Sequence, residues 1–289
     1  MKNLLKILTL AMCLLIMASC TEDEVSYTPP PIGSNPSVED DDVAETVKVF
    51  EVNGVVFRMT YIKGGSFTMG ATSEHRTEAF DDELPTHQVT LKSFYMAQTE
   101  VTQSLWKAVM GENCTPTADT VRRWNEKNGL GDYYPAYYVS WDDCKSFIAR
   151  LNSVTGERFS MPTEAQWEYA ARGGKYRKSF RYSGGDTIDE VAWYYNNSGN
   201  ALHPVASKYP NSLGLYDMTG SVWEWCSDWY APYQGSSQTN PAGPSSGEER
   251  VNRGGGWKDF QRSCHISTRS ANRPDESYPD LGLRLVLGV

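Results

Sequence analysis

The sequence is poor in the residues from which metal clusters, redox motifs and nucleic-acid surfaces are built. Its 289 residues hold four histidines, at positions 75, 87, 203 and 265, scattered without ligand spacing, and there is no C-x-x-C pair. A zinc cluster is therefore not written into the chain. Lys and Arg number 27 against 36 Asp and Glu, a formal net charge of −9. That balance gives no electrostatic footprint for nucleic acid and excludes it as a partner. A long hydrophobic run is also missing. The apolar stretch at residues 7–17 is too short to span a bilayer as a helix. Cysteine is scarce beyond the N-terminus, where only Cys114, Cys144, Cys226 and Cys264 remain. Four cysteines allow three pairings, and the sequence does not choose among them.

What the N-terminus does contain is an export signal. Lys2 and Lys6 precede the apolar residues 7–17, and Met17-Ala18-Ser19-Cys20 closes the segment with small residues before a cysteine. A cysteine at that junction reads as a bacterial lipobox, with residues 1–19 removed and Cys20 lipidated. Several acyl chains on one residue would make a stable anchor, where a single chain is marginal. Residues 20–48 then form a tether. Eight acidic residues oppose one lysine between 21 and 48, and Pro29-Pro30-Pro31 interrupts any regular structure. So little apolar content cannot offset the entropy of ordering, so disorder is expected there. The acidic residues after Cys20 resemble the signal that sends some Gram-negative lipoproteins to the outer surface. The expected location is the outer membrane, lipid-anchored and facing outward.

Residues 49–289 are expected to form one α+β domain with its own core, to which nine tryptophans are available. A hairpin is predicted at 49–52 and 55–59 around Asn53-Gly54, the preferred dipeptide of a type I′ turn. Further strands are predicted at 66–69, 88–96 and 282–287. Three helices have legible ends. One starts after Thr102 and stops at Gly111. A second starts after Ser140, carries Cys144, Phe147, Ile148 and Leu151 on one face, and stops near Gly156. A third starts at Thr163, with Gln166 completing a capping box, and ends at Gly173-Gly174. Between 183 and 256 Gly, Pro, Ser and Asn dominate, so the backbone there is mostly turns.

Within those turns the run 213–225, LGLYDMTGSVWEW, carries the clearest chemistry. Asp217 and Glu224 flank a Gly-containing turn, and the carbonyls of Gly220 and Val222 lie between them. Carboxylate and carbonyl oxygens together suit a hard cation such as calcium. The same residues also read as a turn followed by a buried Trp strand, with Glu224 bonded to backbone amides. Irregular backbone leaves many polar groups to satisfy, and a bound ion or a buried Trp with a polar tip is the usual remedy.

The order of motifs resembles one family. GGSFTMG at 64–70 is followed by ELPTHQV at 83–89, YMAQTEVT at 95–102, VSWDD at 139–143 and MPTEAQWEYAARGG at 161–174. The run 213–225, RGGGW at 253–257 and LGLR at 281–284 complete it. Over nearly all of residues 52–289 the chain is similar to the formylglycine-generating enzyme (sulfatase-modifying factor) family. The resemblance implies a C-type-lectin-like fold of low regular secondary structure with calcium-supported loops. It implies calcium on the side chains of Asp217 and Glu224 and the carbonyls of Gly220 and Val222. A second family calcium position falls near Ala192-Trp193, where the expected Asn is absent, and none is assigned.

The resemblance also carries copper(I) held by two thiolates, and here the chain departs from the pattern. Gly256 stands where the family has Ser, Asp259 stands where the first Cys belongs, and only Cys264 matches the second. A hard carboxylate with one thiolate does not make a copper(I) site. No catalytic residue is assigned; Cys264 would serve only if the protein were active. The expected function is a surface lipoprotein with a sulfatase-modifying-factor domain, non-catalytic, that binds an unknown protein or glycan or builds an envelope assembly. The alternatives are a copper-dependent oxidase acting on sulfatase cysteines, and a diversified lectin-like protein whose tip lies at 258–273.

Overall fold

The computed structural model describes residues 46–75, 77–111 and 124–289. The predicted export signal, Cys20, the tether up to residue 45, and Cys114 lie outside the described residues. Strands β1 (Val47–Val52) and β2 (Val55–Ile62) form the predicted hairpin, with Val52 opposite Val55. Asn53 and Gly54 both have positive φ, 49° and 84°, as a type I′ turn requires. β1 starts at Val47, so the last residues of the predicted tether already belong to the sheet.

The predicted strand at 88–96 is two strands in two sheets: β4 (His87–Leu91) and β5 (Phe94–Ala97). The break at Lys92-Ser93 is held from outside. Lys92 N donates to Asn240 Oδ1 at 2.7 Å, and Gly64 N donates to Ser93 Oγ at 3.0 Å. A Cβ on Gly64 would lie 2.4 Å from Leu91 O, so the crossing needs glycine there. β4 pairs with β3 (Gly65–Met69) and with β8 (Gln238–Thr239).

Helix α1 (Gln103–Met110) is capped by Thr102, whose Oγ1 accepts from Leu105 N at 3.2 Å. Helix α2 (Trp141–Thr155) has a reciprocal Ser140/Asp143 capping box and a left-handed Gly156 at its end. Cys144, Phe147, Ile148 and Leu151 are all buried, as their spacing predicted. β6 (Phe159–Ser160) follows, and then α3 (Glu164–Ala171), with the predicted Thr163/Gln166 box. A single turn, α4 (Ile188–Val191), breaks the long irregular segment.

β7 (Trp223–Trp229), β9 (Arg250–Arg253), β10 (Arg269–Asn272) and β11 (Leu281–Gly282) form a four-stranded sheet in the order β10-β9-β7-β11. The predicted final strand at 282–287 is divided: β11 joins that sheet, and β12 (Val286–Gly288) joins β1, β2, β5 and β6. Between them Leu283 O and Leu285 O accept from Val101 N and Ala97 N. The chain thus crosses from one sheet to the other at Arg284, which is fully buried.

Buried tryptophans hold this loop-rich frame through both ends of the ring. Trp225 and Trp167 are fully buried, and each indole N–H has an acceptor: Val139 O at 2.9 Å and Glu224 Oε2 at 2.7 Å. Such rings remove roughly 150–250 Å² each from water while satisfying a loop carbonyl or carboxylate. Among the described residues no helix is long and apolar enough to cross a membrane.

Asp228 shows how an end of β7 supports α3. Its Oδ2 accepts from Glu164 N at 3.1 Å and from Ser227 Oγ at 3.0 Å. Burial, and then the Glu164 charge, push its carboxyl up to about 7. The folded chain therefore keeps a proton that the unfolded chain releases near pH 4. Between those values stability falls as pH rises, by about 1.4 kcal/mol per pH unit at most, and the loss is complete above about 7. Asp228→Asn keeps an acceptor and removes the titration. In urea titrations its stability relative to wild type is expected to rise from pH 4.5 and to level off above about pH 7. A difference that stays constant across that range would contradict this origin.

Candidate functional site

The run 213–225 folds into a turn whose backbone is unusual at three places. Asp217, Gly220 and Ser221 have φ of 57°, 71° and 58°. At Gly220 this is a requirement, because a Cβ there would lie 2.2 Å from Trp193 O. The turn is stitched to its neighbours: Ser221 N donates to Trp193 O at 2.8 Å, Gly220 N to Gly254 O at 2.9 Å, and Trp257 N to Ser221 O at 2.7 Å. It thereby holds the segment that begins at Arg253.

Asp217 and Glu224 enter one buried charge cluster. Glu224 accepts from Arg284 Nη2 at 2.7 Å and Nε at 3.0 Å, and from Trp167 Nε1 at 2.7 Å. Asp217 Oδ2 accepts from Ala206 N at 2.6 Å. The third carboxylate, Glu100, was not read as a site residue from the sequence. It is buried, its nearest cation is Arg284 at 4.0 Å, and its carboxyl shares a hydrogen bond with that of Asp217. Burial and the Asp217 charge hold the Glu100 carboxyl well above the usual carboxylate range. Asp217 is pushed up to about 6, chiefly by burial. Glu224 is thus bonded not to backbone amides but to a guanidinium and an indole. Arg284 also donates to Ala97 O at 2.9 Å and Tyr216 O at 2.8 Å, which ties the cluster to β5 and to the turn.

This cluster is oxygen-rich, as a hard cation requires: the carboxyl groups of Glu100, Asp217 and Glu224 lie together with one guanidinium, and Glu100 shares a hydrogen bond with Asp217. Among the described residues no group of three or more His, Cys, Asp or Glu side chains is already gathered around one point. A cation there would depend on the carbonyls of Gly220 and Val222 as well.

The segment from Arg253 to Cys264 is arranged differently from a thiolate centre. Asp259 Oδ2 accepts from Trp223 Nε1 at 2.7 Å and from Gly256 N at 2.9 Å. Its carboxylate is therefore built into the loop as a bracket. A Cβ on Gly256 would lie 2.8 Å from Asp280 Cβ, so a serine would not fit there while Asp280 occupies this place. Asp280 is buried and paired with Lys258 at 2.9 Å. Cys264 is fully buried, and burial, then the Asp259 charge, push its thiol far above the usual range. Cys144, Cys226 and Cys264 are all free and buried, so Cys226 and Cys264 do not pair. One protonated thiol and a carboxylate engaged elsewhere do not fit copper(I).

The region 258–273 is only partly a tip. Lys258, Phe260, Gln261 and Arg262 are exposed, whereas residues 264–269 are buried in the domain. Phe260 packs against Tyr195 with centroids 4.6 Å apart and ring planes tilted at 47°, and the pair is 63% and 47% exposed. Arg262 is tied down, donating to Glu78 O at 2.6 Å and Ala79 O at 3.1 Å with its guanidinium over Phe80. Below lies a buried ionic network that spacing did not suggest. Arg269 grips Glu164 at 2.6 and 2.9 Å, and Arg253 is paired with Glu168. The four histidines are not all scattered either: His75 and His265 meet, with ring centroids 5.2 Å apart.

Comparison with known proteins places this geometry. Residues 44–289 match the sulfatase-modifying factor enzyme 1-like domain. The formylglycine-generating enzyme of Streptomyces coelicolor is 32% identical over 281 residues, covering 77% of this chain and 87% of that protein. The chaperone protein LppX of Paenibacillus barcinonensis is 31% identical over 268 residues, covering 79% and 88%. Among solved structures, variable protein 1 of Treponema denticola superposes with a TM-score of 0.75 at 29% identity, covering 85% of this chain and all of that one.

Proposed function

The chain belongs to the family of sulfatase-modifying factor enzyme 1-like domains, and we propose that within it this protein is a non-catalytic member. It serves as a binding or structural component of an envelope assembly, held at the outer membrane surface by a lipid on Cys20. One observation carries the non-catalytic reading. At the place of the family's first copper thiolate, Asp259 is closed on Trp223 Nε1 and Gly256 N, beside a buried Cys264 thiol. Calcium is the cofactor, held by Asp217, Glu224 and the carbonyls of Gly220 and Val222, with Glu100 alongside. Its role is to balance three carboxylates against one guanidinium and so to stiffen the turn under the Arg253 segment.

A second reading follows from the exposed Tyr195–Phe260 pair and from the similarity to Treponema variable protein 1. There the same rigid frame presents residues 258–262 to a protein or glycan ligand, as loops on a scaffold commonly do.

Metal titration of the purified protein tests the main reading. Calcium is expected to bind once and to be lost in Asp217→Ala. Anaerobic copper(I) is expected to show no stoichiometric binding, and a sulfatase-type cysteine peptide incubated with copper and oxygen should keep its mass. Tight one-to-one copper that disappears in Cys264→Ser would overturn the non-catalytic reading.

A further inference from the structure

A compact run of positive charge follows α3, in a chain whose formal net charge is −9. Between Gly174 and Gly185 stand Lys175, Arg177, Lys178 and Arg181, with no Asp or Glu among them. Arg181 faces Asp186 at 3.9 Å. The other three belong to residues 175–179, all of them exposed, with Tyr176 40% exposed between the cations. The backbone of the run is fixed where it leaves α3: Tyr176 N donates to Gly173 O at 3.0 Å and Arg177 N to Gly174 O at 3.3 Å.

This run lies beside the point where the chain enters the domain. Thr46 O accepts from Tyr61 N at 2.8 Å. The next residue, Ile62, meets the start of the run, since a Cβ on Gly174 would lie 3.6 Å from Ile62 Cγ2. Lys63 follows, exposed, and its carbonyl accepts from the Tyr169 hydroxyl at 3.0 Å. Burial raises the Tyr169 phenol, and the Arg177 and Lys175 charges oppose that rise, so both cations act close to the same hydroxyl. Lys63, Lys175, Arg177 and Lys178 therefore share one surface with the entry strand β1.

The chain that leads into Thr46 has the opposite sign. Residues 39–45 hold Glu39, Asp40, Asp41, Asp42 and Glu45 and no cation. We propose that this acidic segment, 39–45, docks on the basic surface formed by Lys63, Lys175, Arg177 and Lys178. Reach permits it: extended chain covers at most about 3.6 Å per residue, so Asp42 extends roughly 14 Å from Thr46 and Glu39 roughly 25 Å. Exposed ion pairs are individually weak and screened by salt, so charge alone does not select a partner. The covalent link does, because a short connection holds the segment at an effective concentration in the millimolar range. Docking would fix the direction in which the chain leaves the domain. It would also cover the basic surface against outside polyanions.

The inference is independent of the calcium and copper readings, and its test does not touch either site. A carbodiimide, which joins a carboxylate to a lysine in direct contact, is applied to the full-length protein, and the linked peptides are identified by mass. Links from 39–45 to Lys63, Lys175 or Lys178 are expected within one monomer, with a yield at least about fivefold lower in 0.5 M salt. Arg177→Ser, which leaves every linkable lysine in place, should lower the yield as well. In a second measurement, the variant Asp40→Asn/Asp41→Asn/Asp42→Asn should bind heparin at least about tenfold more tightly than wild type at low salt. Removing three carboxylates elsewhere, in Glu248→Gln/Glu249→Gln/Asp275→Asn, should give a much smaller gain. All these positions outside 39–45 are exposed, so folding is not at stake. Absence of the links, links found only between copies, or a yield indifferent to salt would overturn the proposal. So would heparin affinity equal in wild type and the 40–42 variant, or equal in the two triple variants.

Discussion

Arg284→Met is expected to lower stability by about 3–5 kcal/mol, the range for removing one partner of a buried ion pair. The guanidinium is fully buried and donates to both oxygens of Glu224, to Ala97 O and to Tyr216 O. Without it Glu224 keeps only the Trp167 indole, and Glu100 loses its nearest cation. Methionine fills much of the volume, so the loss reports charge and hydrogen bonding more than a cavity. In a domain of this size 1 kcal/mol moves Tm by roughly 2–4 °C, so a fall of about 10 °C is expected. Glu224→Gln in the same chain removes one stranded charge and should recover part of it. A measured loss below about 1 kcal/mol would mean that water or a metal ion compensates the cluster fully.

Gly220→Ala should cost about 3 kcal/mol or more, from two sources that a control separates. The backbone at Gly220 is left-handed, with φ of 71°, which costs an alanine roughly 1–2 kcal/mol. The new methyl would also sit 2.2 Å from Trp193 O, a carbonyl already engaged by Ser221 N. Backbone has to move, and Gly220 N is bonded to Gly254 O, so the shift is passed to the Arg253 segment. Gly214 has almost the same φ, 72°, and nothing within 4 Å of a Cβ. Gly214→Ala should therefore show the conformational cost alone. Urea midpoints of the two variants would measure the difference. Equal losses would show that the contact at Trp193 relaxes without cost.

Elements closed by local bonds were legible. The Asn53-Gly54 hairpin, the Thr102 cap and the Ser140 and Thr163 capping boxes each join residues a few positions apart, so their chemistry is visible as spacing. Strand ends were less legible. At Lys92-Ser93 and at Arg284 the chain changes sheets, because its polar groups find partners in Asn240, Gly64, Val101 and Ala97. Apolar patterning does not record a change of partner sheet.

For the candidate site, the sequence placed Asp217 and Glu224 in one neighbourhood and saw that Asp259 stands where a thiolate would. It did not see Glu100 or the guanidinium of Arg284, which lies 60 residues from Glu224. Nor did it see that Asp259 reaches Trp223, 36 residues away, or that two isolated histidines share one buried contact. The motif order and composition by themselves determined family and fold class, because those depend on which residues are present. Which carboxylate meets which cation, and which imidazoles go unpartnered, only the tertiary structure decided. Those contacts are set by which polar groups the packing of distant loops buries together, and a buried charge or lone pair must take the partner it finds there.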